Sequence, residues 1–333
     1  MISIRDVSAR FGAKLALDRV CFQAPAQAIT AVLGESGSGK STLLRAIAGL
    51  TDIAEGEVRF GDRVMSAPGR TAPTETRGIG FVFQDFALFP HLRLIDNISF
   101  GLADLAAEIR TRKAQEWLER VGLSARARAY PHELSGGEQQ RIALARALAP
   151  APKVVLLDEP FSSLDPSMRV ALRDQTVSAL RESGAAAIFV THDSDEALYV
   201  ADQIAVLRHG RLLQWGPPAA LYDRPASSAV ASALGPINIW RGQVRAERME
   251  TPFGIIPAPG VADGPGELVV RAEAIVLAPG PGAQVVERRL QGALDLVRFT
   301  YAGTLWRALA PRRDDGANLT PTLDHRGVFV FSV

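Results

Sequence analysis

The stretch GESGSGKST at 34–42 decides the fold: Gly34-Glu35-Ser36-Gly37-Ser38-Gly39-Lys40-Ser41-Thr42. It fits G-x-x-x-x-G-K-[ST], in which glycines let backbone N–H groups curl around phosphate oxygens and a following helix N-terminus adds positive potential. In that pattern Lys40 reaches the β- and γ-phosphates and the Ser41 hydroxyl ligates Mg²⁺. The competing reading is an ordinary glycine turn. At background residue frequencies a chance match anywhere in the chain is about a few in a thousand. Lysine occurs only four times (Lys14, Lys40, Lys113, Lys153), so Lys40 is more informative than a lysine usually is. The flanks agree. AITAVLG (28–34) reads as a strand entering the loop, and STLLRAIAGL (41–50) as a helix with Leu43, Ile47 and Leu50 on one face.

Further short apolar runs end in polar residues: GIGFVFQ (78–84), VVLLDEP (154–160) and AAIFVTH (186–192). Strands alternating with helices imply an α/β fold with a mostly parallel sheet, whose ligand groups gather at the carboxyl ends of the strands. Asp158, at such an end, suits Mg²⁺, and Glu159 beside it suits an attacking water. Alone, VVLLDEP is a strand ending in a charged turn. Beside a phosphate loop the carboxylates become the metal clamp and water-positioning group that phosphoryl transfer needs. His192 follows another strand, where Thr191 or Asp193 caps a helix, and is a candidate to contact the γ-phosphate. Gln84, at a third strand end, is a candidate sensor of metal or water.

A second glycine stretch, LSGGEQQR (134–141), matches the S-x-x-E capping box through Ser135 and Glu138. A cap does not explain Gly136 and Gly137, each costing up to about 1 kcal/mol against alanine in a helix interior. Glycines there let something approach the backbone closely, and a helix N-terminus with free N–H groups attracts anions.

The chain has 333 residues, 47% hydrophobic content and a formal charge of +1. Two domains fit that length. The charge argues against bulk attraction to DNA or anionic lipid. One cysteine, Cys21, makes no intrachain disulfide, which suits a reducing compartment. MISIRDVSARFG does not read as a signal peptide, and no apolar run approaches the roughly 18–20 residues that cross a bilayer. Residues 90–150 read as a small helical subdomain, with AEIRTRKAQEWLERVG amphipathic. The Pro, Ala and Ser-rich stretch WGPPAALYDRPASSAVASALGP (215–236) then separates a domain at 1–235 from a β-rich domain at 236–333.

The ordered set GESGSGKST, Gln84 in VFQDFALFPHL, LSGGEQQR, VVLLDEP, SSLD and THD resembles the ATP-binding cassette ATPases of ABC transporters, over about residues 1–235. The resemblance implies a P-loop NTPase (RecA-like) cassette with antiparallel β and helical subdomains, binding ATP and Mg²⁺. It implies that two cassettes dimerise head to tail, so that Ser135, Gly136 and Gly137 of one close over the γ-phosphate held by the other. It also implies that Phe11 stacks on adenine and that Gly34 to Thr42 hold the phosphates. Ser41, Gln84 and Asp158 serve Mg²⁺, Glu159 is the general base and His192 the switch histidine, with Lys40 and Gln84 also in the catalytic set. Asp165 in SSLD lies at the dimer contact. Glu138 stands where glutamine is usual and Ser163 where alanine is common.

Three classes compete: an importer ATPase, a soluble ABC ATPase of DNA repair or translation, and a P-loop protein that does not turn over ATP. A long coiled-coil insert, zinc cysteines and a second cassette are not seen, and Glu159 and His192 are both present. Aromatic and apolar residues after Gln84 (Phe86, Leu88, Phe89) resemble the surface that grips the coupling helix of a membrane permease, although local core is the alternative. ALYDRPAS before a β domain resembles binding-protein-dependent importers with small OB-like (TOBE-type) C-terminal barrels. There LVVRAEAIVLAP carries Ala272 where their turn has proline. The expectation is a homodimeric ATPase at the cytoplasmic face of the plasma membrane. It would work with two permease subunits and a solute-binding protein, without nucleic acid. Ferric iron is the favoured cargo; polyamine, sulfate or molybdate, phosphonate and sugar systems are the alternatives.

Overall fold

The computed structural model describes residues 1–162, 166–312 and 318–333, with backbone alone at 166–168. The chain divides into two compact units, Met1–Pro218 and Ala219–Val333. This division precedes the expected boundary at 235, so the helices between 218 and 233 go with the second unit.

In the first unit, β1 (Ile2–Phe11), β2 (Lys14–Ala24), β4 (Glu55–Phe60), β5 (Arg63–Ala67) and β6 (Arg70–Thr71) form an antiparallel sheet in the order β2-β1-β4-β5-β6. A second sheet holds β3 (Ile29–Leu33), β7 (Ile79–Val82), β8 (Val154–Asp158), β9 (Ala186–Thr191), β10 (Gln203–Arg208) and β11 (Arg211–Gly216). Its order is β11-β10-β3-β9-β8-β7, parallel from β10 to β7, with β11 turned back antiparallel. Every residue of β3, β8 and β9 is buried, as expected for central strands covered on both faces.

The helix α1 (Lys40–Ala48) follows the glycine loop, and its Leu43, Leu44 and Ile47 join Ile2, Leu17 and Val20 of one sheet and Val32 and Ile188 of the other in one core. Each of those fully buried α1 side chains contributes about 1.5–3 kcal/mol by leaving water. Leu50 corrects the sequence reading. The helix ends at Ala48, Gly49 turns left-handed as its C-cap, and Leu50 beyond it is half exposed.

Helices α2 (Leu94–Ser99), α3 (Ala107–Arg120) and α4 (Gly136–Leu148) build a separate core from Leu94, Ile98, Ala114, Leu118, Ile142 and Ala145. The amphipathic 107–120 segment buries only Ala114 and Leu118, leaving its charged face to solvent. Two further helices, α5 (Pro166–Ser183) and α6 (Ser194–Val200), follow β8 and β9.

The second unit opens within α7 (Pro218–Asp223), continues with α8 (Ser228–Ala233), and its described residues are otherwise mostly β-strand. One sheet, β14-β13-β12-β15-β20, comprises β12 (Ile237–Arg245), β13 (Arg248–Thr251), β14 (Gly254–Pro257), β15 (Gly264–Arg271) and β20 (Val328–Ser332). The other, β18-β17-β16-β19, comprises β16 (Ile275–Gln291), β17 (Leu294–Tyr301), β18 (Thr304–Pro311) and β19 (Asn318–Leu323). Val244, Leu268, Val297, Phe299 and Trp306 fill the core between them. Asn238 closes the sheets. Its carboxamide oxygen accepts from Arg307 N–H at 2.7 Å and its NH₂ donates to Arg307 O at 2.8 Å, imitating a strand partner.

Candidate functional site

The register of the parallel strands assembles the site. Leu33 lies opposite Thr191 and Asp158 opposite Val190, so the residues just past β3, β8 and β9 emerge side by side. Gly34 N–H donates to Thr191 O at 3.4 Å and Glu159 N–H to Val190 O at 3.1 Å. A cleft of about 640 Å³ opens there, lined by Phe11, Ser36, Gly37, Gly39, Lys40, Ser41, Thr42, Gln84 and Glu159. Lys14, His209 and Gly210 line it too, residues that sequence reasoning missed. His209 belongs to the β10–β11 turn, which touches the glycine loop through Gly210 N–H donating to Ser38 O at 2.9 Å; no local pattern announces that contact.

The loop is built to be filled. At Gly34 a Cβ atom would lie 2.2 Å from Leu207 O and 2.6 Å from Ser38 Oγ. At Gly39, with φ +104°, it would lie 2.7 Å from Ala16 O. Only glycine lets these backbones close up. The Ser38 hydroxyl is buried without a hydrogen-bond partner, a donor available to a phosphate oxygen. Lys40 Nζ donates to Gly34 O at 2.8 Å and Glu35 O at 3.1 Å and lies 3.8 Å from Glu159 Oε1. Burial pushes the Lys40 ammonium below its ordinary pKa, opposed by the Glu159 and Asp158 carboxylates.

Ser41 Oγ donates to Asp158 Oδ1 at 2.9 Å, so the hydroxyl and carboxylate that Mg²⁺ would share already touch. Burial pushes the Asp158 carboxyl above the usual carboxylate range, opposed by the Ser41 hydrogen bond. A divalent cation would offset the cost of keeping this carboxylate ionised. Glu159 has φ +45°, left-handed backbone in a residue with a Cβ, which costs about 1–3 kcal/mol and is characteristic of functional positions. That turn points Glu159 Oε2 at His192 Nδ1, 3.1 Å away.

The strand-end turn carrying His192 is itself braced. Asp193 caps α6 by accepting from Asp195 N–H and Glu196 N–H. The buried Glu196, its carboxyl raised chiefly by burial, accepts the Thr191 hydroxyl at 2.6 Å.

The second glycine stretch lies elsewhere, at the head of α4. Ser135 caps that helix with a full capping box, and its N–H and hydroxyl both donate to Glu138 Oε2 at 2.9 Å. Arg126 holds the other Glu138 oxygen at 3.0 Å. Ser135 and Gly136 are exposed, and a Cβ on Gly136 would meet nothing. Of the sequence-selected residues, Asp165 lies outside the described residues. Phe86 corrects the expectation of a partner-facing aromatic, because it is buried at 6% exposure. Leu88 and Phe89 are half-buried. The Phe89 ring packs tilted against Phe100, with centroids 4.4 Å apart, and Phe100 is 59% exposed, a surface aromatic that the sequence reading missed. A second concavity of about 420 Å³, lined among others by Trp117 of α3, Arg141 of α4 and Gln175 of α5, includes none of the selected residues.

The family profile described as ABC transporter matches residues 17–162. The Fe(3+) ions import ATP-binding protein FbpC of Streptomyces avermitilis is 42% identical over 84% of this chain and 80% of its own length. FbpC 2 of Haemophilus influenzae is 35% identical over 99% of this chain and 97% of its own. The sulfate/thiosulfate import ATP-binding protein CysA of Caulobacter vibrioides is 40% identical over 94% of each chain. Among solved structures, a dimeric post-hydrolysis ATP-binding cassette, MJ0796, bound to ADP and Pi superposes with TM-score 0.58 at 31% identity, covering 66% of this chain and 99% of that one. The chain belongs to the ABC transporter family, as an ATP-binding subunit of the importer type that hydrolyses ATP to drive transport. No helix among the described residues is long and apolar enough to cross a membrane.

Proposed function

We propose that this chain energises uptake of ferric ion, working as a homodimer at the cytoplasmic face of the plasma membrane beneath two permease subunits that a solute-binding protein supplies. The observation that carries the hydrolytic part is Glu159, which lines the cleft beside Lys40 and holds His192 on its other carboxylate oxygen. The glycine loop from Gly34 to Thr42 holds the ATP phosphates and Phe11 stacks on adenine. Ser41, Gln84 and Asp158 would hold Mg²⁺, which would supply positive charge to offset that of the phosphates. Glu159 takes a proton from water as that water attacks the γ-phosphorus; the bond to the bridging oxygen breaks, and ADP and phosphate leave. His192 holds Glu159 in place and faces the γ-phosphate. Ser135, Gly136 and Gly137 act on the partner's nucleotide.

The half-buried Leu88 and Phe89 with exposed Phe100 form the permease-facing surface. The β-rich part from about 236 regulates the cassette through its twin or a small ligand. Ferric ion as cargo is supported by the relatives that resemble this chain over 84% and 99% of its length. Sulfate is the second reading, favoured by the relative that resembles it over 94%. Neither cargo is read by residues of this chain, since specificity lies in the binding protein and permease.

The test is uptake by the native cell carrying a chromosomal Glu159→Gln replacement, with labelled ferric ion, a polyamine, sulfate, molybdate, phosphonate and a disaccharide. Loss of ferric uptake alone supports the reading. Loss of sulfate alone transfers it to the second, and no loss of any cargo overturns import by this subunit.

A further inference from the structure

The loop after β7 carries Gln84, which lines the cleft, and Phe89, which does not, and its backbone between them is unusual. Phe86 and Ala87 have φ of +62° and +43°, two consecutive side-chain-bearing residues in left-handed conformation. Such backbone persists only where its surroundings over-determine it. The determinant is Arg146, in the last turn of α4. Its Nη2 donates to Phe86 O at 2.9 Å and its Nη1 to Ala87 O at 2.7 Å, a two-pronged clamp on both strained carbonyls. The same guanidinium lies 5.2 Å from the centre of the Phe89 ring. Downstream, Asn97 of α2 accepts from Phe89 N–H at 2.9 Å and donates to Phe89 O and Leu92 O, each at 3.1 Å.

The other end of α4 is the Ser135–Gly137 head. The helix between is a 13-residue α-helix, about 20 Å of rigid rod at 1.5 Å per residue. We infer that Arg146 is a positioning residue that ties the aromatic loop to α4, so that closure of the partner's nucleotide on Ser135 moves Phe89 and Phe100. The inference rests on the proposed head-to-tail dimer and deepens it: one rod links the surface that meets ATP to the surface that meets the permease. Arg146 touches neither nucleotide nor the residues of the cleft among its hydrogen bonds. Lysine cannot replace the fork, because its single ammonium does not grip two adjacent carbonyls in fixed geometry.

The experiment is amide hydrogen exchange on the purified full-length chain in a Glu159→Gln background, with and without Mg-ATP, following residues 86–89 and 135–139. Wild-type Arg146 should show ATP-dependent protection at both segments. Arg146→Met should keep the response at 135–139 and reduce that at 86–89 by about fivefold or more, within the range over which single residues modulate coupling. Arg146→Lys should recover only part of it. A loop response unchanged in Arg146→Met, or both responses lost together while β3 and α1 stay protected, overturns the inference. So does an absent loop response in the parent. If Arg146→Met loses protection throughout, the Lys variant carries the comparison: a loop response equal to the parent's overturns the inference, and a selective loss supports it. No permease or cargo enters this measurement, so its failure is distinguishable from failure of the uptake experiment.

Discussion

His192 Nδ1 lies 3.1 Å from Glu159 Oε2, and the other Glu159 oxygen lies 3.8 Å from Lys40 Nζ. One carboxylate thus joins the ends of three segments that are far apart in sequence. Its left-handed backbone shows that the placement is held against local preference, which is the signature of a position selected for what its side chain reaches.

Replacing that carboxylate by its neutral isostere leaves shape and removes basicity. Glu159→Gln should lower ATP hydrolysis by about 10²–10⁴-fold, the span of general-base effects. Nucleotide affinity should stay close to wild type. Steady-state phosphate release and equilibrium binding of a fluorescent ATP analogue check this, with near-normal turnover contradicting the assignment.

Asp158 presents the opposite balance between stability and activity. Its carboxyl titrates above the usual range because burial disfavours the charged form. The fold therefore tolerates the protonated form better than the unfolded chain does, and stability falls as pH rises from the unfolded value through the folded one. Asp158→Asn keeps an acceptor for the Ser41 hydroxyl and removes the buried charge. At neutral pH, in EDTA, it should raise stability, because the neutral amide carries no charge for burial to penalise. The gain should vanish in acid below the ordinary aspartate value. Thermal melts across pH report the sign, and Mg²⁺-dependent hydrolysis should be lost in the same variant.

The head of α4 carries a self-contained anion. Glu138 holds the N–H and hydroxyl of Ser135, the donors that a partner's phosphate would use, and those bonds keep its carboxyl below the usual range. A depressed carboxylate stabilises the fold above its unfolded pKa and loses that effect as pH falls through the folded one. Glu138→Gln removes the charge and keeps the cap, so ATP-driven dimerisation should strengthen by about two- to fivefold, as expected for one like charge removed near a helix terminus. Sedimentation in a Glu159→Gln background measures it; a weaker dimer would show that the carboxylate assists closure instead.

In the second unit, Asn238 is buried at 7% exposure and pairs with both backbone groups of Arg307. Asn238→Ala leaves those groups without partners and should cost about 1–3 kcal/mol, the penalty for unsatisfied buried polar groups. Calorimetry of the full chain should show a lowered transition, and an unchanged profile would mean that water replaces the amide.

Much of the site was legible because its elements are local. Glycine spacing at 34–42 sets the phosphate loop, and apolar runs ending in Asp158, Thr191 or the segment before Gln84 mark strand ends. Leu50 and Phe86 were misread for the same reason. Periodicity reports which side chains are apolar, not where a helix stops or how a loop folds over, and Gly49 and Arg146 decide those two cases. His209, Lys14 and Phe100 left no signal, since they reach the cleft or the surface through turns whose partners are distant in sequence.

By itself the sequence determined the cassette: which residue types stand at the ends of which buried strands, and that phosphate chemistry is their purpose. Spacing within one segment is sufficient for that, because backbone geometry repeats every few residues. Only the tertiary structure decided that Glu159 meets both Lys40 and His192, that Asn238 closes the β unit, and that Arg146 locks two left-handed residues beside an aromatic surface. Those contacts depend on strand register and on the packing of α4 against a loop some sixty residues earlier, with Arg146 and Phe86 60 positions apart. Such separations are settled by the folded core as a whole and by no stretch of chain alone.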